Sequence, residues 1–243
     1  MVDSPWMIAG VSLAVAAGAV VSRGLFSPRG QTFGPVTFRG PAQGGLRIAL
    51  TFDDGPHPTA TDAIRRTLEK QGVVATFFVV GANVVRHPDA IRRLHEAGHE
   101  IGNHSFDHSY AGMFRGRRYW EDQLHRTNEA VENVTGQRPV SFRPPMGFKH
   151  PGILAAARNC RLKVVTWSRR GFDGIRTTSQ RIHDRLAPLA ITGDILMLHD
   201  GAPPKVARDP QATVDAVEPL IHTLKTRGFE MVRLDALLTP AIP

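Results

Sequence analysis

From Leu46 onward, short apolar runs alternate with amphipathic stretches, and the alternation predicts strands and helices in turn. Leu46–Phe52 is a mostly apolar run of strand length. Ala60–Gln71 carries the helical period and stops at Gly72, Ala75–Val80 again reads as a strand, and Pro88–Ala97 reads as a helix stopped by Gly98. Further strands are predicted at Glu100–Asn103, Val140–Phe142, Leu162–Trp167, Asp194–Leu198 and Glu230–Leu234. Helices fall between them over Arg115–Val134, Gly152–Asn159, Ser179–Leu189 and Ala212–Arg227. Strands that alternate with helices imply parallel pairing through helical crossovers, as an open doubly wound sheet or a closed barrel. In a barrel, the residues that follow the strands converge on one face. Asp53-Asp54, His104–His108, Arg143 and His199 all occupy such positions.

The first 45 residues follow a different pattern. Trp6–Ser22 is apolar and rich in Ala, Gly and Val, followed by a Gly- and Pro-rich connector to Gly45. As a helix, residues 6–22 span roughly 25 Å, a little short of the roughly 30 Å hydrocarbon core. The Ala17-Gly18-Ala19 triplet resembles a cleavage site, but Asp3 and the lack of Lys or Arg ahead of the run argue for an uncleaved anchor. Arg23, Arg29 and Arg39 lie after it, which by the positive-inside rule favours the cytoplasmic side. The expectation is membrane association through residues 6–22 or export to the cell envelope, with the membrane face open. Residues 46–243 form the main domain, a length that suits one sizeable core.

Charge changes this picture little. Thirty Lys plus Arg against 22 Asp plus Glu give a formal charge of +8, which favours anionic partners. The basic residues are scattered, however, and no nucleic-acid-binding module is present, so no nucleic acid partner is expected. The single cysteine, Cys160, excludes an intrachain disulfide and a cysteine-based zinc site, and its place at a helix end reads as a buried structural thiol.

Candidate chemistry lies at the strand ends. Asp53 and Asp54 are adjacent carboxylates after an apolar strand, where a metal ion or an arginine is needed to compensate them. The bland alternative is a capping turn. His104 and His108, four apart, can share one face of a helical turn and reach one ion. Asp54 adds a carboxylate to the pair and leaves coordination positions open for water and substrate. Arg143 sits on a rigid Pro-Pro mount within reach of pairing with Asp53, and Gly147 allows close backbone approach to a ligand. Trp167 with Asp173, and His199 after a buried strand, complete the set.

Thr51-Phe52-Asp53-Asp54-Gly55-Pro56, His104-Ser105-x-x-His108, Arg143-Pro144-Pro145-x-Gly147, Trp167 followed by Asp173, and a hydrophobic strand ending in His199 occur in that order. Together they resemble the NodB-like polysaccharide deacetylases of carbohydrate esterase family four, over roughly Leu46–Leu238. The resemblance implies a distorted, incompletely closed (β/α) barrel and a metal-dependent hydrolase that removes N-acetyl groups from an N-acetylated glycan. It implies Asp54, His104 and His108 as ligands of one divalent ion, zinc or a similar metal such as cobalt. Asp53 corresponds to the general base, Arg143 to the residue that positions it, His199 to the general acid and Asp173 to the carboxylate that tunes the acid. Met146, Gly147, Trp167 and Leu198 correspond to the substrate-binding surface. Met146 stands where the family has an aromatic residue, and Met197 where it has leucine. Two other functions stay open at this point: deformylation or deacylation of a lipid-linked sugar at the membrane, and glycan binding without catalysis.

Overall fold

A computed structural model describes residues 18–239. Residues 18–26 are helical; the rest of the predicted apolar anchor lies outside the described residues. No described helix is long and apolar enough to cross a membrane. The elements that follow are β1 (Arg47–Asp53), α1 (Ala60–Lys70), β2 (Thr76–Val79), α2 (Gly81–Arg86), α3 (Pro88–Glu96), β3 (Glu100–Asn103), α4 (Arg117–Thr135), β4 (Ser141–Phe142) and α5 (Pro151–Asn159). The second half holds β5 (Lys163–Val164), β6 (Arg169–Arg170), α6 (Ser179–Leu186), β7 (Ile195–His199), α7 (Gln211–Thr226), β8 (Glu230–Met231) and α8 (Leu234–Leu238).

The strands pair in parallel in the order β5-β4-β3-β2-β1-β7-β6, with β8 beside the first residues of β1. β1 at the centre is buried along almost its whole length because it has a packed layer on each face. Ile48, Leu50 and Phe52 point outward into the largest apolar cluster, with Ile64 and Leu68 of α1 and Val217 and Leu220 of α7. Ala49 points the other way, toward Phe78, Ile195, Leu234 and Leu237, and α8 closes that end. A third cluster seats α4 and α5 against Phe142 and Val164.

The curled sheet forms an incompletely closed (β/α) barrel, and the connector lies across the gap. Thr37 bridges Val165 beyond β5, while Arg39 bridges Asp194 ahead of β7. Asp194 is fully buried, and Arg39 and Arg169 both donate to it, at 2.7 and 2.6 Å. Burying a carboxylate this deeply requires such partners. They tie the connector to both β6 and β7.

Several sequence expectations are corrected. β5 covers two residues, not six; at its end Val164 O accepts from Thr37 N of the connector and Thr166 N donates to Thr37 O. The last strand stops at Met231, and Leu234 opens a helix. β6 and α2 were not anticipated. Two arginines do not read as a strand, and α2 ends at Arg86, capped by His87 directly before Pro88. Cys160 is half-buried rather than buried, with its Sγ 3.6 Å from His125 Nε2.

Candidate active site

Strand register assembles the site. Asp53 is paired with His199 on one side and with Phe78 on the other; Val79 pairs with Asn103, and Asn103 with Phe142. One step past that row come Asp54, His104 and Arg143. Residues up to 146 positions apart thus reach one rim through backbone pairing alone.

Asp54, His104 and His108 form a buried cluster in which one ligand atom from each lies within 4.8 Å of the others. Asp54 Oδ1 is 3.4 Å from His104 Nε2 and 3.3 Å from His108 Nε2, and it has no hydrogen-bond donor among the described residues. His104 Nδ1 donates to the Arg143 carbonyl at 2.7 Å, so its Nε2 carries the lone pair. Two imidazole nitrogens and an otherwise unsatisfied buried carboxylate oxygen make a donor set that fits a divalent transition-metal ion. Burial alone would raise the Asp54 carboxyl, but the close imidazoles of His104, His108 and His199 hold it well below its ordinary value. Burial lowers His108 to about 4, leaving its imidazole neutral at neutral pH.

The two histidines do not share a helical turn. They lie on a loop between β3 and a short 3-10 turn, and Asp54, Ser105 and His108 all have left-handed backbones, with φ of 72°, 66° and 50°. Non-glycine residues rarely adopt this conformation, so surrounding contacts must enforce it. Gln123 of α4 accepts from the N–H groups of Phe106 and Asp107, and the first N–H groups of α2 donate to Ser105 and Phe106. A Cβ on Gly81 would stand 2.6 Å from the Phe106 ring, which explains a glycine at the start of α2.

Asp53 and Arg143 make a buried ion pair, with Nη1 donating to Oδ1 at 2.6 Å. The same guanidinium donates to Thr51 Oγ1 and the Thr166 carbonyl and lies over the Phe78 ring at 4.1 Å. On the other side, Asp173 accepts from both His199 Nδ1 at 2.9 Å and His199 N at 2.7 Å, while Thr213 Oγ1 donates to it at 2.7 Å. Burial would lower His199, but the Asp173 carboxylate, by charge and hydrogen bond, and the charges of Asp54 and Asp53 raise it to about 9. The imidazole is therefore protonated at neutral pH.

Beside His199 opens an apolar cavity of about 300 Å³ lined by Met146, Trp167, Phe172, Ile175 and Met197, among others. Gly147 packs so close to the Trp167 indole that a Cβ would come within 2.7 Å of it. Leu198 is not part of this surface. Successive strand residues face opposite sides; Met197 shares the face of His199, and Leu198 points into the core on the helix side.

Two residues were missed in the sequence. Asp200, fully buried against Gly55 and bonded to Thr61, is raised to about 7 by burial. Arg208 donates through Nη2 to Asp54 Oδ2 at 3.1 Å from 154 residues away. Arg208 had no spacing that pointed to the site, whereas Asp200 directly follows His199 but was given no role.

Comparisons with known proteins show the family and the fold. A family model described as polysaccharide deacetylase matches residues 41–165. A peptidoglycan-N-acetylglucosamine deacetylase of Bacillus cereus is 33% identical over 79% of this chain and 87% of its own length. A chitooligosaccharide deacetylase of Sinorhizobium fredii is 35% identical over 76% and 89%. The PgdA peptidoglycan-N-acetylglucosamine deacetylase of Listeria monocytogenes is 32% identical over 81% of this chain, which spans only 40% of that longer protein. Among solved structures, the Bc1960 peptidoglycan N-acetylglucosamine deacetylase superposes with a TM-score of 0.77 at 29% identity, covering 85% of this chain and 94% of the other. BA3943 of Bacillus anthracis, a pseudoenzyme, superposes at 0.75 with 24% identity, covering 84% and 69%, so the fold alone does not establish activity. With the family model covering residues 41–165 and the B. cereus relative matched along most of its length, the chain belongs to the polysaccharide deacetylase family.

Proposed function

We propose that the protein is a metal-dependent N-deacetylase that hydrolyses the acetamido group of N-acetylated sugars in a cell-envelope glycan. The observation that carries this reading is the pair of oppositely equipped groups flanking the Asp54-His104-His108 cluster: Asp53 held by Arg143, and His199 held by Asp173. Hydrolysis of an amide needs a base and an acid in opposite protonation states at one pH. A protein that only binds glycan has no need of either pair. The relatives named for deacetylation favour acetyl over formyl release and a glycan over a lipid-linked sugar.

A bound divalent ion, zinc or cobalt by the preference of an imidazole-rich site, supplies Lewis acidity toward the amide carbonyl and acidifies the attacking water. Asp53 accepts the proton from that water as its oxygen adds to the carbonyl carbon. Arg143 holds Asp53 in place, and its own position is fixed by Thr51, Thr166 and Phe78. The Met146 backbone N–H is assigned to the oxyanion that develops. His199 then gives its proton to the departing nitrogen, the C–N bond breaks, and acetate and a free amine leave. Trp167, Met146 and Met197 wall the space for the methyl group. Substrate in the envelope requires an exported or membrane-held enzyme, a role for the apolar run at residues 6–22.

The test is acetate and formate release from chitooligosaccharides, peptidoglycan fragments and lipid-linked N-acyl sugars, with metal content measured on the same preparation. Acetate from a glycan, lost with a chelator and restored by zinc or cobalt, supports the proposal. Activity indifferent to chelation, or formate as the main product, overturns it.

A further inference from the structure

We infer that Arg208 is a positioning residue for the metal ligand Asp54, one that keeps the carboxylate bound through a single oxygen; this rests on the metal-site reading above. Asp54 presents its two oxygens to different partners. Oδ1 faces the Nε2 atoms of His104 and His108 and has no donor among the described residues. Oδ2 accepts from Arg208 Nη2 at 3.1 Å. With Oδ2 occupied, the carboxylate is directed to offer Oδ1 alone to an ion. Both coordination positions and Lewis acidity are then preserved for water and substrate.

The support for Arg208 is itself anchored. Its Nη1 donates to the Gly201 carbonyl at 3.1 Å, so the guanidinium bridges the backbone after β7 and the side chain after β1. A Cβ on Gly201 would approach the Asp54 carbonyl carbon and oxygen to within 3.0 Å, so a side chain there would push the two segments apart. Asn83 Nδ2 clamps the same region, donating to the Asp54 carbonyl at 2.9 Å and the Ala202 carbonyl at 3.1 Å. The Asp54 backbone is thus fixed by Asn83, and its carboxylate rotation by Arg208. The Arg208 side chain is only 17% exposed, so the contact is less screened than a surface pair. Partners behind a metal ligand commonly contribute 10- to 100-fold to affinity or activity.

The arrangement also links the site to a neighbouring polar cavity of about 540 Å³. Arg208 lines it together with Tyr110, Asp173, Gly174, Arg176 and Thr177. A sugar residue lodged there would contact the side chain that orients Asp54.

The experiment compares wild type with Arg208→Gln and Arg208→Lys in the full chain. Zinc affinity is measured by chelator competition, and the coordination of the cobalt-substituted protein by its visible absorption. Thermal stability of metal-free protein is measured alongside kcat and KM. The expected result for R208Q is zinc affinity about 10- to 100-fold weaker, a changed cobalt spectrum and a lower kcat under metal saturation. KM and metal-free stability should stay close to wild type. R208K keeps the charge but cannot serve both Asp54 Oδ2 and Gly201 O, and it should restore part of the affinity. Zinc affinity of R208Q within about twofold of wild type, with an unchanged cobalt spectrum, overturns the inference. So does an affinity loss matched by collapse of metal-free stability in both variants. Wild-type protein that binds neither zinc nor cobalt would instead overturn the metal-site reading beneath it.

Discussion

Asp53 and His199 are register partners on adjacent parallel strands, so the proposed base and acid share one rung of the sheet. Asp53 is backed by Arg143 and His199 by Asp173, and the two backing pairs have no residue in common. Asp53→Asn should therefore remove the proposed base and leave the Asp54-His104-His108 cluster in place, lowering His199 only by the smaller influence of the Asp53 charge. Turnover should fall by about 10²- to 10⁴-fold, with zinc content unchanged by elemental analysis. Substantial residual activity would remove Asp53 from that role.

His199 owes its raised value to the Asp173 carboxylate ahead of the charges of Asp54 and Asp53. Asp173→Asn removes the first and largest of these opposing influences. The alkaline limb of kcat/KM should then move down by about one pH unit or more, toward the ordinary histidine range. Stability should follow in the same direction. A folded value of about 9 against an ordinary 6.5 stabilises the metal-free fold fully below pH 6.5, and the contribution is lost as pH rises through about 9. Denaturant titrations of metal-free wild type and D173N should converge above that pH. A pH profile that does not move would show that Asp173 merely holds the loop.

Met197 and Leu198 offer a contrast between neighbours. Met197 lines the apolar cavity beside His199, whereas Leu198 is buried in the helix-side core. Met197→Ala should enlarge the acyl pocket and raise propionyl relative to acetyl release, with modest loss of stability. Leu198→Ala should cost about 2–5 kcal/mol in denaturant unfolding and leave acyl preference unchanged. Reversal of the two outcomes would place the pocket on the wrong face of β7.

The same pair shows what the sequence made legible. The strand ahead of His199 was recognisable as an apolar run, but Leu198 was assigned to the pocket by resemblance alone, and one residue along a strand is the difference between the pocket wall and the core side. Asp53, Asp54, His104 and Arg143 could be picked out because each follows a strand, and parallel register carries strand ends to one rim. Asp173 was legible only through the spacing to Trp167, and its two bonds to His199 come from the path of the 171–178 loop. Arg208 was hidden among 30 basic residues and reaches Asp54 through an irregular loop with no period to read. Asp200 depends on Gly55 having no side chain, a matter of close approach that residue type does not announce.

The connector was expected to be an appendage that ends near Gly45, yet its polar contacts reach the walls of the proposed acyl pocket. Lys149, almost fully buried, donates from Nζ to Ser27 O at 2.7 Å and to Gly147 O at 3.2 Å. Thr166, next to Trp167, donates to Pro28 O at 2.7 Å, and its N–H donates to Thr37 O at 2.8 Å. A protein starting at residue 46 would lose these acceptors and leave Asp194 with Arg169 but without Arg39. Each buried polar group so stranded costs about 1–3 kcal/mol, and each kcal/mol lowers the melting temperature of a chain this size by about 2–4 °C. Relative to a protein that starts at residue 18, one that starts at residue 46 should have a melting temperature lower by about 10 °C or more and reduced activity. Lys149→Met, which keeps the volume and removes the donor, should loosen the Met146-Gly147 turn alone: faster hydrogen exchange across 144–149, a higher KM, and zinc affinity unchanged. If the protein starting at residue 46 matched the one starting at residue 18 in both melting temperature and kcat, the connector would be a tether and the catalytic unit would begin at β1.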